Sequence, residues 1–238
     1  MKKEAIMIKE KTMITFKEMI QETSDIYSFV FEVPETFHWL PGQHGVFRFT
    51  QDLEMTGKSF RIFSFASVEE EHKMLFSTRI AEPISDFKKH LLQLKAGDTM
   101  TIDGAVGKFL LNDLSKPTCI MAGGIGITPV RAFMKQVEYS KENPCSLEIL
   151  YSDDRGEFAY EHDLNTINNN FSGVHLQYIS DRNIFTEKIE SYAKDHQNES
   201  LYYIAGTPGM NKFLTEKLIS LGIESQHIIT DIFTGYGD

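Results

Sequence analysis

The segment TCIMAGGIGITPVRAFMKQVEYS (118–140) decides the fold. A short apolar run, 118–124, enters a glycine turn, Gly123-Gly124-Ile125-Gly126-Ile127-Thr128-Pro129, and a helix-forming stretch follows over 129–140, with Pro129 suited to a helical first turn. Strand, glycine turn and helix in that order make half of a βαβ unit. The turn's glycines allow close backbone approach to a diphosphate, and the first N–H groups of the helix attract the anion. The spacing is not GxGxxG, so it is not the usual dinucleotide fingerprint.

Toward the C-terminus the alternation continues. Strands are predicted at SLEILYS (146–152), VHLQYIS (174–180), LYYIAG (201–206) and SQHIITDIF (225–233), with helices near 157–167, 184–194 and 208–221. Strands alternating with helices predict a parallel sheet covered by helices. Ala205-Gly206-Thr207-Pro208-Gly209-Met210 forms a second glycine turn between a strand and a helix. In a parallel sheet both turns lie at the carboxyl ends of strands, where one nucleotide can span them. The plainer reading of the second is an ordinary loop with Thr207 as N-cap.

Toward the N-terminus the texture is different. IYSFVFEV (26–33) alternates with Tyr27, Phe29, Phe31 and Val33 on one face, Pro41-Gly42 marks a turn, and HGVFRFT (44–50), SFRIFSFAS (59–67), MLFSTRI (74–80) and TMTIDG (99–104) read as further strands. ISDFKKHLLQL (84–94) reads as one helix that Ser85 or Asp86 caps. Short strands with one helix predict a small antiparallel β-barrel, and the change of texture puts a domain boundary near 112–117. Within Arg61-Ile62-Phe63-Ser64, alternation sets Arg61 and Phe63 on one side and Ile62 and Ser64 on the other. An Arg can clamp a diphosphate, a Phe can cover a ring, and a Ser can hydrogen-bond a ring nitrogen. A solvated charge beside a packed aromatic is the plainer reading.

Composition narrows the function classes. The chain has 24 Lys+Arg against 34 Asp+Glu, a net charge of −10, which disfavours nucleic acid and anionic lipid as partners. No run approaches the roughly 20 apolar residues of a membrane span, and the charged start MKKEAIMIKEKTM has no signal-peptide core, so a cytoplasmic location is expected. Two cysteines, Cys119 and Cys145, are too few for a four-cysteine metal site and are read as buried core thiols. The eight histidines are dispersed, so no metal site is expected. Neither HExxH nor GxSxG occurs. Trp39 is read as barrel packing, Glu69-Glu70-Glu71 as a solvated turn and Asn168-Asn169-Asn170 as a loop.

Taken together, Pro41-Gly42-Gln43, Arg61–Ser64, Gly97-Asp98, Gly104, Gly107, Gly123–Pro129, Gly206–Met210 and Asp231–Phe233 resemble the ferredoxin–NADP reductase superfamily over nearly the whole chain. The resemblance implies an FAD-binding β-barrel over 1–114 and an α/β NAD(P)-binding domain over 115–238. It places Arg61 on the FAD diphosphate, Ile62 beside it, Phe63 against the flavin and Ser64 near its N5. Ser85 matches the family's second flavin turn, G-x-x-S/T, while Glu82 stands where the family has glycine and Pro83 lacks an N–H. Gly123, Gly124, Gly126, Thr128 and Pro129 form the nicotinamide-nucleotide loop, with Thr128 facing the ligand. Gly206, Thr207, Pro208, Gly209 and Met210 match the turn whose leading cysteine is Ala205 here. Phe233 is the expected flavin-facing ring, with Tyr236 as the alternative. Ser64 and Phe233 are thus the expected catalytic residues. Asp153 and Asp154 can meet a ribose hydroxyl, whereas Arg155 and Arg182 suit a 2′-phosphate; surface charge is the plainer account of each.

The implied activity is hydride transfer from NAD(P)H to FAD, then electron delivery to a separate ferredoxin- or flavodoxin-like protein, free flavin, quinone or dioxygen. An acidic ferredoxin would need a local basic patch such as Lys88 and Lys89. The alternatives are a non-catalytic FAD- and nucleotide-binding subunit of a larger redox complex, and a flavin-free nucleotide-binding protein.

Overall fold

The computed structural model describes residues 11–231. Six antiparallel strands, β1 (Thr12–Gln21), β2 (Ile26–Glu32), β3 (His44–Phe49), β4 (Arg61–Ser64), β5 (Met74–Arg79) and β6 (Thr99–Val106), form a sheet ordered β4-β3-β6-β1-β2-β5. The sheet curls until its edges meet. The Phe63 ring on β4 stacks on Phe76 of β5 at 4.2 Å, and Ala66 N–H donates to the Leu75 carbonyl at 2.7 Å. Phe16, Phe29, Phe31, Phe47 and Phe65 fill the interior with them. Helix α1 (Asp86–Leu91) closes one end with Phe87 and Leu91. Trp39 is buried among the phenylalanines as expected, its indole N–H donating to the Ser67 carbonyl at 2.9 Å.

The second half is a parallel sheet of β7 (Thr118–Gly123), β8 (Leu147–Ser152), β9 (Val174–Ile179), β10 (Leu201–Ala205) and β11 (Ile228–Asp231), ordered β11-β10-β7-β8-β9. Helices α2 (Ile127–Ser140), α3 (Glu161–Asn170), α4 (Arg182–His196) and α5 (Pro208–Ser220) follow the first four strands. The chain moves outward from β7 in one direction and then returns to build β10 on its other side. This reversal opens a crevice at the carboxyl ends of β7 and β10, the ligand position in open α/β sheets. No helix among the described residues is long and apolar enough to cross a membrane.

Strand β2 buries both faces. Phe29 and Phe31 enter the barrel, while Ile26 and Val30 pack with Leu75 and Ala66 against Val130, Phe133 and Met134 of the other half. The single buried face expected from alternation is therefore half of the pattern. Charge also crosses this seam. Arg131 of α2 is 4% exposed and donates to Glu71 at 2.9 Å, to Asp163 at 2.9 Å and to the Ala66 carbonyl at 2.7 Å. Burial alone would lower its pKa, but hydrogen bonding and charge from Glu71, with Asp163 and Tyr160, raise it. Glu71 is thus an interior ion-pair partner, not part of a solvated turn. Two further expectations change. Asn168-Asn169-Asn170 ends α3 instead of forming a loop, and Cys145 is exposed, because it precedes β8 in the connecting loop. Cys119 is buried as expected.

Candidate functional site

The two glycine turns are built against each other. A Cβ placed on Gly126 would lie 2.0 Å from the Ala205 carbonyl oxygen, and one on Gly123 or Gly206 would meet the Met210 sulfur at 2.3 or 2.5 Å. The glycines let the β7 and β10 turns touch while both face one crevice. Gly124 has φ +52°, a left-handed conformation that glycine adopts without steric cost, and its open side faces the Arg79 guanidinium. Thr207 caps α5 by accepting from Met210 N–H at 3.3 Å, and Pro208 occupies the first turn, where no N–H is needed.

The crevice has a volume of about 770 Å³ and is lined by Gly123–Gly126, Ser152–Arg155, Arg182, Gly206, Thr207, Gly209, Met210, Phe213 and Arg79. The structure thus brings together six of the expected nucleotide-loop residues: Gly123, Gly124, Gly126, Gly206, Thr207 and Gly209. Met210 joins them through its sulfur. Thr128 corrects the sequence reading. It is 2% exposed and its hydroxyl donates to the Ile125 carbonyl at 2.8 Å, so it braces the turn from inside and does not face the crevice. Pro129 is likewise buried within α2.

The charged groups of the crevice are mutually engaged. The Asp153 carboxylate accepts from Arg79 Nη2 and from the Arg155 N–H, each at 3.0 Å. Arg155 also makes a forked pair with Asp25, two contacts of 2.8 Å. Asp154 accepts from Arg182 Nε at 2.9 Å, so the acid and the arginine expected to compete for a ribose are partners on the exposed rim. Arg79 comes from the barrel, at the end of β5. It is absent from the residues expected on sequence grounds, where its only signal is a cation closing an apolar strand.

On the barrel side Ser64 is 5% exposed and its hydroxyl donates to Asp231 Oδ2 at 3.3 Å. Asp231 ends β11 and pairs with Ala205 at the end of β10, the residue whose carbonyl touches Gly126. One contact therefore places the end of β4 at the carboxyl edge of the parallel sheet, beside both glycine turns. Burial pushes the Asp231 carboxyl up to about 6, against the opposing hydrogen bond from Ser64. In the sequence Asp231 is only part of a C-terminal pattern; its burial is not legible there.

The remaining barrel residues divide. Arg61 lies at the barrel mouth, its guanidinium 5.2 Å from the Phe87 ring centroid and its Nη1 donating to the Lys58 and Phe60 carbonyls at 2.8 Å. Ile62 points outward and is 39% exposed. Phe63 departs from the expectation of a ring lying over a ligand: it is packed in the barrel interior with a face on Phe76, because β4 turns that side toward the aromatic core. Ser85 sits at the N-cap of α1 but makes no capping hydrogen bond; its Oγ is buried and has no partner. Phe233 and Tyr236 lie outside the described residues.

Comparison with known proteins agrees with this architecture. The family model described as an oxidoreductase NAD-binding domain matches residues 120–216. A component of the Na(+)-translocating NADH-quinone reductase of Pasteurella multocida is 26% identical over 231 residues, covering 86% of this chain and 56% of that protein. Its counterpart from Yersinia pestis is 28% identical with the same coverage. The chain thus spans a little over half the length of these relatives. Among solved structures, ferredoxin–NADP+ reductase from Plasmodium falciparum superposes with a TM-score of 0.79 at 14% identity, covering 95% of this chain and 97% of that one. The cytochrome b5 reductase domain of Ulva prolifera nitrate reductase gives 0.75 at 18% identity, covering 94% and 97%. The described residues thus share the fold of these reductase structures, and residues 120–216 match the oxidoreductase NAD-binding domain family.

Proposed function

We propose that the chain is a flavin-dependent NAD(P)H oxidoreductase, with residues 1–114 holding FAD, residues 115–238 holding NAD(P)H, and electrons passing to a separate acceptor. The observation that carries the reading is the Ser64–Asp231 contact of 3.3 Å, which joins the barrel to the carboxyl edge of the parallel sheet where both glycine turns open. Catalysis of hydride transfer is chiefly positioning, and this contact fixes the two halves in register.

Two groups at the barrel mouth support a flavin dinucleotide there. Ser85 Oγ is a buried hydroxyl without a partner, and Arg61 makes no ion pair with a carboxylate among the described residues. Each is suited to a phosphate oxygen, which accepts hydrogen bonds and carries the missing negative charge. When bound, FAD would supply the ring that accepts the hydride. The chain's residues do the rest. Arg61 and Ser85 hold the diphosphate; Ser64 offers one hydroxyl, donor or acceptor, at the ring edge; the buried Asp231 carboxyl, pushed up to about 6, takes up or releases a proton near that pH. Gly123, Gly124, Gly126 and the 206–210 turn admit the nicotinamide nucleotide. Buried Phe109, Phe133 and Tyr203 pack on one another and join α2 to β10, the elements that carry the turns.

The test is direct. Purified chain offered FAD should turn yellow and, under anaerobic conditions, bleach with NADH or NADPH. A chain that stays colourless with FAD overturns the reading. A second reading is favoured by the relatives, each named as one component of a Na(+)-translocating NADH-quinone reductase: the chain as the FAD- and nucleotide-binding electron-transfer component of a larger complex. Flavin uptake without bleaching by either nucleotide would select it.

A further inference from the structure

A second cation stands at the barrel mouth. Lys88, on α1, reaches past the end of β5 and donates through Nζ to the Arg79 carbonyl at 2.7 Å. Its side chain is half-buried, and burial together with the charges of Arg61 and Arg79 lowers its pKa. Arg79 is neutralised by Asp25 and Asp153. Neither Lys88 nor Arg61 has a carboxylate within ion-pair distance among the described residues, although Asp86, on the same short helix, is occupied by Lys89 at 2.8 Å and by the Thr56 N–H at 2.9 Å. Arg61 lies over the ring of Phe87, the residue next to Lys88, and two partly buried cations of one sign so placed favour an anion beside them.

Two backbone positions of the adjoining turn offer that anion no donor. Pro83 has no N–H, and the Ile84 N–H donates to the Glu82 carboxylate at 3.3 Å. The Ser85 hydroxyl is buried and partnerless, one helical turn from Lys88 and so on the same face of α1.

We propose that Lys88 is the second arm of a diphosphate clamp, acting with Arg61 and the Ser85 hydroxyl to hold the diphosphate of FAD. The assignment rests on the flavoprotein reading above and adds to it a preference: the chain retains a dinucleotide flavin and not its phosphate-free counterpart. Lys88 positions the cofactor and takes no part in electron transfer.

The experiment titrates flavin-free protein with FAD and with riboflavin, following flavin fluorescence, for the natural chain and for Lys88→Met, Lys88→Gln and Ser85→Ala. Lys88→Gln keeps an N–H for the Arg79 carbonyl while removing the charge. Both Lys88 variants should weaken FAD binding about ten- to hundredfold, the range for one charge-assisted hydrogen bond, and leave riboflavin affinity unchanged. The salt dependence of FAD binding should also become shallower. Ser85→Ala should weaken FAD several-fold. Unchanged FAD affinity in Lys88→Gln, or an equal loss for riboflavin, overturns the clamp alone. Failure of the natural chain to bind any flavin overturns the clamp and the flavoprotein reading together.

Discussion

Replacing Asp231 with Asn should stabilise the flavin-free protein, and the gain should grow with pH. Asp231 is 5% exposed and its carboxyl is pushed up to about 6 from an ordinary 3.8. A folded-state pKa above the unfolded value means the folded state binds the proton more tightly. Stability from this group is fully present below pH 3.8 and is lost as pH rises through 6. With about 1.36 kcal/mol per unit, the shift penalises the ionised form by about 3 kcal/mol at pH 8, and linkage gives about 1.5 kcal/mol at pH 5. Asparagine has no proton to lose and its amide oxygen still accepts from Ser64. Urea unfolding of both proteins at pH 5, 6, 7 and 8 measures the difference. The variant should gain about 1.5 kcal/mol more at pH 8 than at pH 5. A difference that is flat with pH, or that favours the natural protein increasingly at alkaline pH, would refute the claim that Asp231 is a desolvated carboxyl at the domain edge.

Other substitutions probe neighbouring parts of the account. Gly126→Ala would force a Cβ to 2.0 Å from the Ala205 carbonyl; overpacking of this kind costs roughly 1–3 kcal/mol, and half-saturation by NAD(P)H should rise while FAD uptake survives. Arg61→Ala should cost ~1–3 kcal/mol of FAD affinity, read by equilibrium fluorescence. Arg131→Met leaves the buried Glu71 carboxylate without its partner and should lower unfolding free energy by about 3–5 kcal/mol in urea titration.

Much of this architecture is legible in the residues because local chemistry and tertiary need agree. Around Gly123–Pro129 and Gly206–Met210, strand-forming runs, glycines and helix caps coincide, so the two βα turns and their place at the carboxyl ends of strands are legible in the sequence, while the crevice they share is defined by tertiary packing. The strand Thr12–Gln21 does not stand out in the sequence, because a bulge between Phe16 and Glu18 shifts its register and the adjacent apolar residues Met19 and Ile20 are both exposed, which breaks simple alternation. Helix α3 begins later than its pattern implies because Tyr160 takes a left-handed conformation at φ 63° just before it. Glu71, Phe63 and Thr128 depart from expectation for a common reason. Each is defined by a partner distant in sequence or by the inward turn of its strand or helix: Arg131 for Glu71, the Phe76 face for Phe63, and the interior side of the glycine turn for Thr128. In the sequence alone, Lys88 and Lys89 of α1 read as a surface patch. The uncompensated charge of Arg61 and Lys88 shows only when neighbouring carboxylates are seen to be engaged elsewhere.

The measurement closest to the central claim is anaerobic stopped-flow reduction of the FAD-loaded chain by NADH or NADPH carrying deuterium at the transferred C4 position. If the barrel mouth and the two glycine turns hold the rings face to face, the flavin absorbance should bleach in a single turnover, and bleaching should slow several-fold with the deuterated nucleotide. An FAD-loaded chain whose absorbance does not change with either nucleotide would contradict the account.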